Sequence, residues 1–115
     1  PTVFDNVEDN FTIMKEEPFG PLVPMLSFKN FDEVIERSNN NDLGLCSYIC
    51  TNSMEKANKA SELMETGVVA VNTPVVAIAE APFGGIKQTG YGREGGSNAI
   101  KDYLNVKYTH MGLKG

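Results

Sequence analysis

At 115 residues with an ordinary apolar share, the chain is long enough for one domain-sized core, and disorder throughout is excluded. A net charge of −5 argues against a nucleic-acid binder, which would show a basic face. No apolar run reaches membrane-spanning length and no signal segment opens the chain, whose first residue, Pro1, points to a processed or cut terminus.

Thr2-Val3-Phe4 and Phe11-Thr12-Ile13-Met14 are short apolar runs, with the turn formers Asp5-Asn6 and Asp9-Asn10 between them. Lys15-Glu16-Glu17-Pro18-Phe19-Gly20-Pro21 predicts a stiff loop, because its prolines forbid a regular ladder. Residues 22–28 predict a strand, with Pro24 marking an edge or a bulge. Asn30 and Glu33 fit a capping box ahead of a helix whose Phe31, Val34 and Ile35 share one face; the helix dissolves in Asn39-Asn40-Asn41-Asp42. Residues 45–51 predict the next strand. A second helix is expected from residue 52 or 53 to about 66, with Met54, Ala57, Ala60, Ser61 and Met64 on a small-residue face and Gly67 as its C-terminal glycine. Val68-Val69-Ala70-Val71 is apolar at consecutive positions, as in a strand covered on both faces. Ser97 is expected to cap a third helix with Ile100, Tyr103 and Leu104 on its face, and residues 106–111 to form a last strand.

This alternation predicts an α/β fold with parallel strands and right-handed crossovers. Three or four strands make a thin sheet, and two helices do not cover both faces of a parallel one. The chain is therefore expected to be part of a larger sheet.

Residues 82–96 hold six of the eleven glycines, too many for a helix or strand, and interleave them with Phe83, Lys87, Tyr91, Arg93 and Glu94. Such a long, chemically mixed segment predicts a shaped functional loop. Gly90-Tyr91-Gly92-Arg93-Glu94-Gly95 matches a dinucleotide fingerprint in letters only, since no strand stands immediately before it and no second strand with an acid follows. Lys87 and Glu94 fit either a proton-handling pair or an ion pair holding the loop, and Arg93 fits a carboxylate or subunit contact. Cys46 and Cys50 read as reduced structural thiols, because a metal or a nucleophile would need partners and the only histidine is His110. His110 itself reads as a surface or interface residue. Glu16-Glu17 beside Phe19 is either a solvated acidic turn or a place for sugar hydroxyls and a flat ring.

Glu16-Glu17-Pro18-Phe19-Gly20-Pro21, Asn72 after a valine-rich strand, and Pro82-Phe83-Gly84-Gly85-Ile86-Lys87-Gln88-Thr89-Gly90-Tyr91-Gly92-Arg93-Glu94 together resemble the C-terminal part of the NAD(P)-dependent aldehyde dehydrogenase superfamily, in a succinate-semialdehyde dehydrogenase-like flavour. The resemblance implies an α/β fold in which residues 1–104 are the C-terminal part of the catalytic domain, a mostly parallel sheet with flanking helices. Residues 105–115 would be an oligomerisation strand and tail. It implies NAD or NADP as cofactor, bound mainly by a domain outside this chain, and a small aldehyde as substrate. It also implies a homo-oligomer (dimer or tetramer) in the cytoplasm, with no nucleic-acid, membrane or metal partner. By position, Glu17 matches the glutamate that binds the nicotinamide ribose hydroxyls, and Phe19 the aromatic beside the nicotinamide. Phe83 matches an aromatic of the substrate tunnel. Lys87 and Glu94 match loop residues near the active site, candidates for a proton relay, and Arg93 a structural or inter-subunit contact.

In that family a cysteine attacks the aldehyde to give a thiohemiacetal, hydride passes to the nicotinamide, and a glutamate-activated water releases the acid. Cys46 and Cys50 match no catalytic position, and the cysteine motif and that glutamate are expected upstream of Pro1. The resemblance thus implies one piece of an aldehyde-oxidising enzyme, inactive alone. Succinate-semialdehyde enzymes often carry a serine just before Pro-Phe-Gly-Gly; residues 73–81 hold none, and their apolar character with Glu80 nearby suits a carboxylate tail poorly. The substrate expected is succinate semialdehyde or a related small aldehyde. The alternative, from a different class, is a stand-alone α/β binding module that uses the glycine loop without catalysis.

Overall fold

The computed structural model describes residues 1–113 and residue 115. Two parallel strand pairs organise it. In the first, β1 (Thr2–Phe4) lies beside β2 (Leu22–Pro24), with Thr2 opposite Leu22 and Phe4 opposite Pro24. β2 stops well short of residue 28, although the Met25 amide just beyond it still donates to the Phe4 carbonyl at 2.7 Å. The apolar run at 11–14 is helical: Phe11 N–H donates to the Glu8 carbonyl (3.0 Å), starting the single turn α1 (Thr12–Lys15).

α2 (Phe31–Asn39) opens as its capping residues predict. The Asn30 side chain accepts from the Glu33 amide at 3.0 Å, while the Glu33 carboxylate reaches back to the Lys29 amide at 2.7 Å, one residue further out than a simple box. Arg37 then ties this helix to earlier segments. Its guanidinium donates to both Asp9 oxygens (3.0 and 2.9 Å) and to the Ser27 carbonyl (2.9 Å). The fork holds the guanidinium pKa above its ordinary value, chiefly through the Asp9 hydrogen bond.

The second pair is β3 (Cys46–Ile49) with β4 (Val68–Val71), in parallel register from Cys46 opposite Val68 to Ile49 opposite Val71. α3 (Met54–Leu63) makes the connection between them, capped by the Ser53 hydroxyl accepting from the Lys56 amide at 3.3 Å. Of its small-residue face, Ala57 and Ala60 are buried but Met54 is exposed. Asn39, the last residue of α2, bridges to the end of α3: its amide donates to the Leu63 carbonyl (2.8 Å) and its oxygen accepts from the Glu65 amide (2.9 Å). Asn72, just past β4, takes a left-handed φ of 55°, and its side chain trades two 2.9 Å hydrogen bonds with the Thr51 backbone. A side-chain amide thus supplies the rung that follows the last strand residues.

Three sequence expectations are corrected. α3 ends at Leu63, so Gly67 is not its terminal glycine; a methyl group at Gly67 would overlap the Gly84 carbonyl, and close approach is what requires glycine there. The expected third helix is only a 3-10 segment at Ala99–Tyr103, uncapped by Ser97, with Ile100, Tyr103 and Leu104 exposed rather than packed. Residues 106–111 form no strand among the described residues.

The core is thin. Val7, Ala57, Ala60 and Ala70 are the buried apolar side chains, and none among the described residues is completely enclosed. The molecule measures 78 × 32 × 25 Å, with a radius of gyration of 19.6 Å against about 13 Å for a compact chain of this length.

Candidate functional site

The glycine loop is a closed ring. Phe83 and Glu94 form one antiparallel rung, amide to carbonyl at 2.7 Å and 2.8 Å, and the residues between them loop out from it. Arg93 clasps the ring from inside, its guanidinium donating to the carbonyls of Gly85 (2.9 Å) and Gly92 (2.6 Å). The Arg93 amide donates to the Asp102 carboxylate at 2.9 Å, and the left-handed Gly92 (φ 81°) lets that carboxylate approach. No strand leads into Gly90 and no βαβ unit follows, so the Gly-x-Gly-x-x-Gly letters do not form a dinucleotide turn.

The ring is stitched to the turn after α2. Ile86 N–H and Gly67 N–H both donate to the Gly44 carbonyl (2.9 and 3.0 Å), Gln88 N–H donates to Asp42 O (2.9 Å), and the Thr89 hydroxyl accepts from the Gly44 amide (2.8 Å). Lys87 adds the one charged stitch. Its ammonium donates to the Asn39 and Asn41 carbonyls (2.8 and 3.0 Å) and pairs with Glu65 at 2.6 Å. Lys87 and Glu94 are therefore not an ion pair in this structure. The lysine is consumed elsewhere, while the Glu94 carboxylate takes no hydrogen bond or ion pair from the described residues.

An open depression of about 350 Å³ lies on the ring, lined by Phe83, Tyr91, Arg93, Glu94, Asp102 and Tyr103 among others. Phe83 and Glu94 thus come together on one rung, and Lys87 lies outside the lining. Glu17 and Phe19 sit on the separate proline loop between α1 and β2, with Phe19 96% exposed. No hydrogen bond among the described residues joins that loop to the ring. A larger hollow, about 580 Å³, lies beside β1 and α1 among Phe4, Val7, Phe11 and Ile13, and no titratable side chain except Asp5 faces it.

Both cysteines are free thiols, Cys46 half-buried and Cys50 exposed. Burial pushes the Cys46 thiol above its ordinary pKa, the opposite of what a nucleophile needs. No helix among the described residues is long and apolar enough to cross a membrane. Sequence reasoning missed Glu65, Asp102 and Gly44, the residues that hold the ring. Their partners lie far along the chain, and no local spacing signals them.

A family model described as the aldehyde dehydrogenase family matches residues 1–109. Retinaldehyde dehydrogenase 3 of Rattus norvegicus is 49% identical over 107 residues, which is 93% of this chain and 21% of that protein. Mitochondrial succinate-semialdehyde dehydrogenase of Arabidopsis thaliana is 42% identical over 112 residues, 97% of this chain and again 21% of the relative. An aldehyde dehydrogenase from Bacillus cereus, solved as an NAD+ complex, superposes with a TM-score of 0.90 at 45% identity, covering 93% of this chain and 22% of its own. The chain thus spans about a fifth of the length of the proteins it matches. Two strand pairs, a proline loop and a clasped glycine ring, matched together over nearly the whole length, have one explanation: this chain belongs to the aldehyde dehydrogenase family.

Proposed function

We infer that this chain is the C-terminal part of an enzyme that oxidises an aldehyde to a carboxylic acid with NAD or NADP. The observation that carries the reading is the Phe83–Glu94 rung, which fixes an aromatic surface and an unpartnered carboxylate side by side on the lining of one depression. An aromatic suits the body of a small aldehyde, and a free carboxylate can accept a proton or hold a water.

The proline loop fits the cofactor. Glu17 is exposed, and a carboxylate, an acceptor only, matches two ribose hydroxyls; Phe19 leaves its whole ring open for a flat heterocycle. Bound there, the nicotinamide would supply the hydride-accepting centre. The nucleophile is neither cysteine of this chain, since Cys46 is held as a thiol and neither lines the ring.

Substrate choice follows from charge. Arg93 gives one guanidinium nitrogen to backbone carbonyls and lines the depression beside two carboxylates, Glu94 and Asp102, while Lys87 is engaged with Glu65 and α2. This wall favours a small neutral aldehyde over succinate semialdehyde. Residues 105–115 are proposed to pair with a second copy, a use suited to an extended segment whose Val106 and Leu113 are almost fully exposed.

The test is nicotinamide reduction by the full-length polypeptide that carries this chain, offered neutral and carboxylated aldehydes of matched length. Turnover is expected, fastest with the neutral set. Absence of turnover with every aldehyde, on either cofactor, ends the reading. Glu17→Gln is expected to raise the KM for the cofactor about tenfold at little cost to aldehyde KM, as befits a charge-assisted hydrogen bond.

A further inference from the structure

The geometry points to Lys87 as a positioning residue: it carries no proton in the reaction but sets the glycine ring, and with it Phe83 and Glu94, against the end of α2. The inference rests on the aldehyde-oxidising reading above. Three observations support it. An ammonium has three N–H donors, and here three acceptors surround it, the Asn39 carbonyl at 2.8 Å, the Asn41 carbonyl at 3.0 Å and the Glu65 carboxylate at 2.6 Å. Two carbonyl hydrogen bonds and an ion pair engage the nitrogen with protein groups, and Lys87 lies outside the lining of the depression.

Next, Lys87 is one of the few non-glycine residues with a left-handed backbone, φ 56°. Glycine would sit there without strain, in a ring that uses glycine at Gly90 and Gly92 for that purpose. A lysine is retained at that cost for its side chain. Finally, the two carbonyls belong to the last turn of α2 and the residues just after it, where the helix dipole is negative and its carbonyls lack intrahelical partners. The lysine therefore closes α2, meets the segment after α3 through Glu65, and fixes the ring, all through one atom.

The ring is small and its ends share the Phe83–Glu94 rung, so a tilt at residue 87 moves both functional side chains together. Displacement of that kind lowers turnover without changing which groups titrate, and a shift of about 1 Å in a reacting group costs up to about a hundredfold.

The experiment uses the full-length polypeptide, comparing Lys87→Met and Lys87→Arg with the wild type. Lys87→Met is expected to lower kcat at least about tenfold, with the cofactor KM and the inflections of the pH–rate profile unchanged. Lys87→Arg, which keeps a cation and several donors, is expected to restore most of kcat. Amide exchange gives a readout independent of activity: protection at Ile86, Gln88 and Phe83 should fall in Lys87→Met and recover in Lys87→Arg. A lost or moved limb of the pH–rate profile in Lys87→Met overturns the proposal in favour of proton transfer. Wild-type kcat, or unchanged protection of the ring, overturns it outright. Should Lys87→Met fail to fold, Lys87→Gln retains a donor for the carbonyls and is read by the same criteria. A wild-type protein that reduces no nicotinamide sinks the reading of function before any variant is compared, and exchange still decides whether Lys87 holds the ring.

Discussion

Gly67 and Gly20 are the same residue type in opposite circumstances. A side chain at Gly67 would run into the Gly84 carbonyl, while Gly20 has nothing within 4 Å of where a methyl would go. Gly67→Ala is therefore expected to cost about 1–3 kcal/mol, seen as a lower urea midpoint, and Gly20→Ala close to nothing. Equal midpoints for the two would mean that β4 does not pack against the ring. The two thiols differ in a similar way. Cys46 is half-buried and burial raises its pKa, so at neutral pH it holds less thiolate than an ordinary cysteine; Cys50 is exposed. Iodoacetamide should alkylate Cys50 well before Cys46, as read by peptide mass mapping, and raising the pH past the ordinary cysteine range should narrow the gap. Because the folded thiol resists ionisation, the stability it contributes is intact below the unfolded pKa and drains away as pH climbs above it. Faster labelling at Cys46 would show that β3 is open where the structure has it covered.

Among the elements, α2 was the most legible in the sequence and the last two the least. Asn30 with Glu33 marks a helix start by local chemistry alone, and the helix begins there. Asn30→Ala should lower stability by about 1 kcal/mol in urea titration while Asn30→Asp stays near wild type; an unchanged midpoint for the alanine would show that α2 is held by Arg37 and packing rather than by its cap. The β3–α3–β4 unit was legible as well, because valine runs and small-residue faces are sequence-local. Residues 97–111 misled. Their apolar spacing fits a helix and a strand, but neither forms without something to pack or pair against, and residues 104–113 are exposed throughout. The site was half legible. Composition located the ring and the family pattern named Phe83 and Glu94, yet the partner of Lys87 is Glu65 on the far side of β4, beyond the reach of any spacing rule.

Taken whole, the molecule is a surface more than a solid. Its radius of gyration of 19.6 Å and its lack of fully enclosed side chains among the described residues leave Phe19, Tyr91, Val106, Met111 and Leu113 largely open. A self-sufficient binding module would bury such groups. The chain prepared alone is expected to self-associate, to unfold without a sharp cooperative transition, and to reduce no nicotinamide with any aldehyde. Light scattering, calorimetry and an absorbance assay check these in turn, and a monomer with a sharp melt would favour the module reading instead. The Gly44 carbonyl, which receives amides from both Gly67 and Ile86, also sets a timetable. On the ribosome this oxygen emerges first and must stay hydrated until β4 arrives, then accept its second donor only when the ring follows. The seat at Gly44 is thus made before the glycine ring reaches it, while Asp102, which holds the Arg93 amide, comes later still.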